Sequence, residues 1–271
     1  MESLEEVFRE KLGAFSFDNC SRNAALEKMG AHPPTMRKTG TTIVGTVFKD
    51  GVVVGADSRA TAGELIADKD CIKLHKLTDS IYACGAGTAA DLDQVTKMIS
   101  SNLKLQELNT GRKARVVAAL RTAKQHLFRY QGYVGAYLVI GGVDFYGPHL
   151  YSCSAYGSTS MDPFIADGSG SLAALGVLER QFKLNMTEEE AIELVKNALI
   201  SGMHSDLSSG NALRFCVIRK EGAREFDRVV PDFCQPSDKE LNYRHAQNTS
   251  TVLKSKQLKF DVVEAMEVES K

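Results

Sequence analysis

No two of the six cysteines, Cys20, Cys71, Cys84, Cys153, Cys216 and Cys234, are spaced as Cys-x-x-Cys, which removes the zinc-knuckle and dense-disulfide readings. Thiols this far apart predict free cysteines in a reducing compartment. Charge of one sign is also lacking. The 33 Lys and Arg against 34 Asp and Glu leave a formal charge of −1, which argues against a nucleic-acid binder that works through a large basic field. No apolar run reaches the roughly 20 residues of a membrane-spanning helix. The opening stretch, MESLEEVFREKLGAF, has neither the basic nor the apolar region of a secretory signal, and Glu2, Glu5, Glu6 and Glu10 count against an acid-poor presequence. These absences predict an intracellular chain with no nucleic-acid and no membrane partner.

What is present is ordinary for a globular protein. The 271 residues are 43% hydrophobic and 25% charged, which excludes collagen, coiled-coil and disordered classes and leaves room for one large domain or two small ones. Residues 1 to 40 read as a leader: Leu4, Val7, Phe8 and Leu12 suggest a short helical stripe, and Pro33-Pro34 breaks any regular element after it. From Thr41 the runs TIVGTVFK and VVVGAD flank Asp50-Gly51, a dipeptide suited to a two-residue type I′ hairpin turn. Both runs are apolar on both faces, so their sheet should be covered on two sides.

A third strand at Ser80–Cys84 leads through Gly85-Ala86-Gly87 into a helix with Leu92, Val95, Ile99 and Leu103 at spacings of three and four. Val116, Leu120, Ala123 and Leu127 repeat that pattern, predicting an antiparallel helical pair. Strands follow at 134–141 and 150–153. Gly168-Ser169-Gly170-Ser171 then opens a helix, and Thr187 with Glu190 forms a capping box for another running to about Met203. Two strands, 213–219 and 224–229, close the pattern. Segregated helical pairs and strand blocks predict an α+β domain, two antiparallel sheets between two helical layers.

The junction Thr39-Gly40-Thr41-Thr42-Ile43-Val44-Gly45, the motifs GADSRAT (55–61), DKDCIK (68–73), CGAGTAADLD (84–93) and LFRYQGYVGAYLVIGGVD (127–144), and Gly168-Ser169-Gly170-Ser171 occur in a fixed order. Together they resemble a β subunit of the 20S proteasome core, most closely of the β2, trypsin-like type, in precursor form. The resemblance runs from residue 37 to about 220. It implies the four-layer αββα sandwich of N-terminal-nucleophile hydrolases, with residues 1–40 as a propeptide removed on maturation. The catalytic domain would span 41–230, and 231–271 would form a C-terminal arm on a neighbouring subunit.

The chemistry of the residues agrees. A threonine hydroxyl is a weak nucleophile and needs an adjacent base, which a free α-amine on the same residue can supply. The pKa of such an amine, about 7.7 to 8.0, leaves it partly neutral near pH 7. Thr41 would therefore have to become N-terminal, by its own attack on the Gly40 carbonyl, which lacks a neighbouring Cβ. By resemblance, Lys73 lies beside the nucleophile with Asp57 as its counter-charge, and Ser169, Asp206 and Ser209 hold the terminal amine. Gly87 offers the backbone N–H that meets the oxyanion. Ala60, Cys71, His75, Gly85 and Ala89 would line the primary pocket, and Asp93, assisted by Asp91, would favour a basic side chain there.

The expected activity is threonine endopeptidase cleavage after basic residues, without metal or organic cofactor. The expected partners are other β subunits in a seven-membered ring, an α-subunit ring and unfolded polypeptides, in cytoplasm and nucleus. The alternatives are another N-terminal-nucleophile amidohydrolase and a noncatalytic ring subunit.

Overall fold

The computed structural model describes residues 18–30, 39–235 and 255–256. The helical stripe expected at residues 4–12, the Pro33-Pro34 break and almost all of the expected arm lie outside them. The described residues up to Gln235 lie in one compact unit, and Pro236 begins a second.

Five α-helices are described, α1 (Asp18–Lys28), α2 (Ala89–Thr110), α3 (Val116–Arg129), α4 (Ser171–Gln181) and α5 (Glu188–Ser205). Twelve strands accompany them: β1 (Thr42–Phe48), β2 (Gly51–Asp57), β3 (Ala60–Ala62), β4 (Leu65–Asp68), β5 (Leu74–Thr78), β6 (Ile81–Gly87), β7 (Ala136–Asp144), β8 (Gly147–Cys153), β9 (Thr159–Met161), β10 (Phe164–Gly168), β11 (Leu213–Arg219) and β12 (Ala223–Val229). One antiparallel sheet has the order β10-β1-β2-β11-β12, the other β5-β6-β7-β8-β9, and β3-β4 is a separate ribbon.

Alternation along β2 explains the layering. Val52 and Val54 enter the core between the sheets with Ile43, Cys84, Val139 and Cys216, while Val53 points the other way with Val44, Leu178, Leu199 and Phe215 under α4 and α5. On the far side, Ile81, Ala83, Leu138 and Ile140 pack beneath Ile99, Leu103, Leu120 and Leu127 of α2 and α3. The result is the four-layer αββα sandwich of the N-terminal-nucleophile hydrolases, with both sheets covered on both faces.

The first hairpin differs from expectation. Phe48 pairs with Gly51, so the turn residues are Lys49-Asp50, and neither they nor Gly51 has positive φ. A type I′ turn is therefore absent. Gly51 answers to packing instead: a β-carbon there would strike the Ile218 carbonyl and meet the Phe48 ring at 2.8 Å. The Thr187–Glu190 capping box at α5 has both reciprocal bonds.

Candidate active site

β1 begins beside the ends of β2 and β10, with Ile43 opposite Ala56 and Thr42 opposite Gly168. This pairing delivers Thr41, 2% exposed, to the place where α4 and the loop after α5 also begin. The Thr41 hydroxyl donates to the Gly40 carbonyl oxygen at 2.7 Å, and Lys73 Nζ donates to that same oxygen at 3.0 Å.

Lys73 leads into β5, and its carbonyl accepts the Gly85 N–H of β6 at 3.0 Å. Its ammonium is buried and lies 2.8 Å from Asp57 Oδ1. Asp57 Oδ1 also accepts the Thr42 N–H at 2.9 Å, while Oδ2 accepts from the N–H of Gly210 (3.0 Å) and Arg59 (3.1 Å). A carboxylate with four donors offsets much of the cost of burying this ion pair.

The Thr41 N–H donates to Ser169 Oγ at 3.0 Å. The hydroxyls of Ser169 and Ser209 donate to Asp206 Oδ2 at 2.6 and 2.7 Å, and the Ser208 N–H to Oδ1 at 3.0 Å. Burial works to raise the Asp206 pKa, but these donors outweigh it and hold the carboxyl below its ordinary value. Ser169 makes no capping bond to the helix that follows: Gly170 is the N-cap of α4 and no side chain caps it.

Gly87 ends β6 with φ +124°, and a β-carbon on it would strike the Gly135 carbonyl. Only glycine suits both constraints. Its carbonyl receives Thr39 through the N–H at 3.3 Å and the hydroxyl at 2.6 Å, an isolated antiparallel bridge. Gly40 is constrained by space alone, because a β-carbon there would collide with Ser208.

A cavity of 470 Å3 is lined by Thr41 and Lys73 together with five of the expected pocket residues, Cys71, His75, Gly85, Ala89 and Asp93. Ala60 is not among its lining residues; it is buried in β3 opposite Asp68. Asp91 is also directed elsewhere, its carboxylate accepting the Gly135 N–H at 2.9 Å, so its expected help in the pocket is not seen. Asp93 faces the cavity but has company: Lys97 Nζ at 3.1 Å and His75 Nδ1 at 3.9 Å. Burial pushes the His75 pKa below its ordinary value, against the pull of Asp93.

Several contributors escaped the sequence reading. Asp68 and Asp70 line the same cavity from β4 and the loop after it, Asp70 being paired with Arg214 at 2.9 Å. Thr61 accepts the Gly40 N–H at 3.0 Å, and Thr39 also lines a second cavity of 430 Å3 with Gly40, Gly87 and Ser169. Thr39 and Thr42 flank the Gly-Thr pair, and that adjacency was the available signal. Among the described residues no group of His, Cys, Asp and Glu is placed to hold a metal ion, and no helix is long and apolar enough to cross a membrane.

A sequence profile of the family described as Proteasome subunit matches residues 37–218. The chain is 47% identical over 274 residues to proteasome subunit beta type-10 of Bos taurus, covering 98% of this chain and 100% of the relative. The chain belongs to the proteasome β-subunit family. It is 53% identical over 216 residues to proteasome subunit beta type-7-B of Arabidopsis thaliana, covering 80% and 78% of the two chains. It is also 47% identical over 253 residues to the probable proteasome subunit beta type-2 of Schizosaccharomyces pombe, covering 93% and 94%. The three names carry different type numbers, so membership in the proteasome family is settled at the level of a β subunit. That membership implies assembly with other proteasome subunits.

Proposed function

We propose that this chain is a threonine-type endopeptidase of the 20S core, of the β2 type, activated by its own cleavage of the Gly40–Thr41 bond. The convergence of the Thr41 hydroxyl and the Lys73 ammonium on the Gly40 carbonyl oxygen carries the reading. Lys73 polarises this carbonyl, and Thr41 Oγ attacks its carbon. Expulsion of the Thr41 nitrogen, which takes up a proton, leaves a Gly40 ester on Thr41 Oγ. Water hydrolyses the ester, releasing a leader that ends in the Gly40 carboxylate and freeing the Thr41 amine.

The amine then serves as the base for later turnovers. Thr41 Oγ attacks a substrate carbonyl as its proton passes to the amine, the oxyanion meets the Gly87 N–H, and the departing substrate amine takes the proton back. Hydrolysis of the acyl-enzyme completes the cycle. The Lys73 ammonium, paired with Asp57 at 2.8 Å, places a positive charge beside the hydroxyl and favours its deprotonated form. The remaining assignments belong to the same proposal: the arm 231–271 contacts a neighbour, the β ring joins an α ring, and the particle degrades unfolded chains in cytoplasm and nucleus.

Intact-mass measurement on assembled particles tests the central claim. The mature chain should begin at Thr41 and hold 231 of the 271 residues, the 40 of the leader having gone. Thr41→Ala should keep Gly40 attached and hydrolyse nothing. Gly40 still joined to Thr41 in a peptide-cleaving particle would sink the proposed base.

Preference for basic residues rests on Asp68, Asp70 and Asp93 around the cavity. Because Asp93 is half exposed and paired with Lys97, Asp93→Asn should lower the Arg-over-Leu ratio of kcat/KM by no more than about 1 kcal/mol. Lys97→Ala should raise the ratio. Unchanged ratios in both variants would assign the preference to Asp68, Asp70 or a neighbouring subunit.

A further inference from the structure

Thr42 has no part in the reaction just described, yet it is completely buried. Its hydroxyl donates to Ser209 Oγ at 2.8 Å, and Ser209 donates onward to Asp206 Oδ2 at 2.7 Å. From the other side, the nitrogen of residue 41 donates to Ser169, which donates to the same carboxylate oxygen at 2.6 Å. Two consecutive residues thus grip one carboxylate through separate serines; Ser169 Oγ also lies 3.3 Å from the Thr41 carbonyl oxygen, a longer contact than its 2.6 Å bond to Asp206.

The direction of the bonds is decisive. A hydroxyl has one proton to give. With a lone pair of Ser209 already filled by Thr42, the serine's own proton goes to Asp206. The slot permits little else: a β-carbon on Gly170 would strike Thr42 Oγ1, and one on Gly202 would meet Thr42 Cγ2 at 2.5 Å. The hydroxyl is clamped between the start of α4 and the body of α5. Thr46, on the same strand, shows that such a bond is not automatic, since its buried hydroxyl has no hydrogen-bond partner.

We propose that Thr42 is a positioning residue whose hydroxyl sets the Ser209–Asp206–Ser169 chain, so that the nitrogen of residue 41 stays a donor to Ser169. Its lone pair, once the leader is gone, is then left for the Thr41 hydroxyl. The inference rests on the peptidase reading above. Without the Thr42 hydroxyl, Ser209 can turn its proton away, and Asp206 loses a donor. A less satisfied carboxylate holds the neighbouring amine in its protonated form to higher pH.

The test uses assembled particles whose other active subunits are silenced, carrying Thr42→Val, Thr42→Ser or Thr46→Val. The readouts are leader removal by mass, and kcat and KM against pH for a fluorogenic peptide with Arg at the cleaved position. Thr42→Val keeps the shape that fills the slot. It should lose about tenfold in kcat with KM little changed, as expected when a transition-state interaction is removed, and its acid limb should move up in pH. Thr42→Ser should restore both, and Thr46→Val should match wild type. Thr42→Ala repeats the comparison if the valine variant does not assemble.

A valine variant with wild-type kcat and acid limb would overturn the inference, and so would a serine variant as damaged as valine or a Thr46→Val variant as damaged as Thr42→Val. An inactive wild type would instead overturn the peptidase reading on which the inference depends, so the two failures are distinguishable.

Discussion

Asp57 accepts four hydrogen bonds in a place closed to water, and removing it strands the Lys73 ammonium. Asp57→Ala should cost about 3 to 5 kcal/mol of stability, because a buried charge loses its partner. Urea unfolding of the isolated chain measures this. Lys73→Met added to Asp57→Ala should recover part of the loss, and no recovery would place the cost in the three backbone donors instead. His75 gives a prediction in pH. Its pKa is pushed below the ordinary 6.5 by burial, so on acidification the unfolded chain takes up its proton first. The stability it contributes is fully present above pH 6.5 and is lost as pH falls through the folded value. Protonated His75 also brings a positive charge to the cavity, so the Arg-over-Leu ratio should decline over the same range. His75→Gln should flatten that decline, and an equal decline in the variant would move its origin to another group.

The pocket was less legible than the nucleophile, for a reason visible at this scale. Thr41, Asp57 and Lys73 stand in motifs whose spacing survives in one dimension, whereas Asp68, Asp70 and Asp93 reach one cavity from a ribbon, a loop and a helix. Asp91 and Asp93 look alike in sequence. Only the fold reveals that one caps the Gly135 backbone and the other faces the cavity.

Among the elements, the long helices could be read because their burial recurs at the helical period, as at Leu92, Val95, Ile99 and Leu103 of α2. The short β3–β4 ribbon and β9 could not. β4 and β9 are exposed throughout, so no apolar alternation marks them. The first hairpin was located but mistyped, since Asp-Gly suits a type I′ turn while Gly51 was kept small by the Ile218 carbonyl and the Phe48 ring. The capping box of α5 gives a test at this scale. Thr187 accepts the Glu190 N–H at 3.3 Å while Glu190 accepts the Thr187 N–H at 2.9 Å. Thr187→Ala should cost about 1 kcal/mol in thermal or urea unfolding. Asp206 caps the opposite end of that helix, so kcat should stay at the wild-type level; a fall in kcat would mean that fraying at one end reaches the other.

For the whole molecule, the doubly apolar strands foretold two covered sheets, and the partition of Val52, Val53 and Val54 between two cores shows why. What the sequence could not convey is how the residues just before Thr41 enter the finished fold. Thr39 holds the carbonyl at the end of β6 with two hydrogen bonds. Each such bond is worth about 1 kcal/mol net. While the chain is continuous that is ample, because the tether supplies an effective concentration in the millimolar range or above. Severed at Gly40, those two bonds alone would fall short of the roughly 4 kcal/mol that even a millimolar complex requires, and what remains is the Gly40 N–H on Thr61 and the new carboxylate beside Lys73. Cut free there, residues 39 and 40 would stay by these few contacts and no longer by the tether, and their departure would become a matter of dilution.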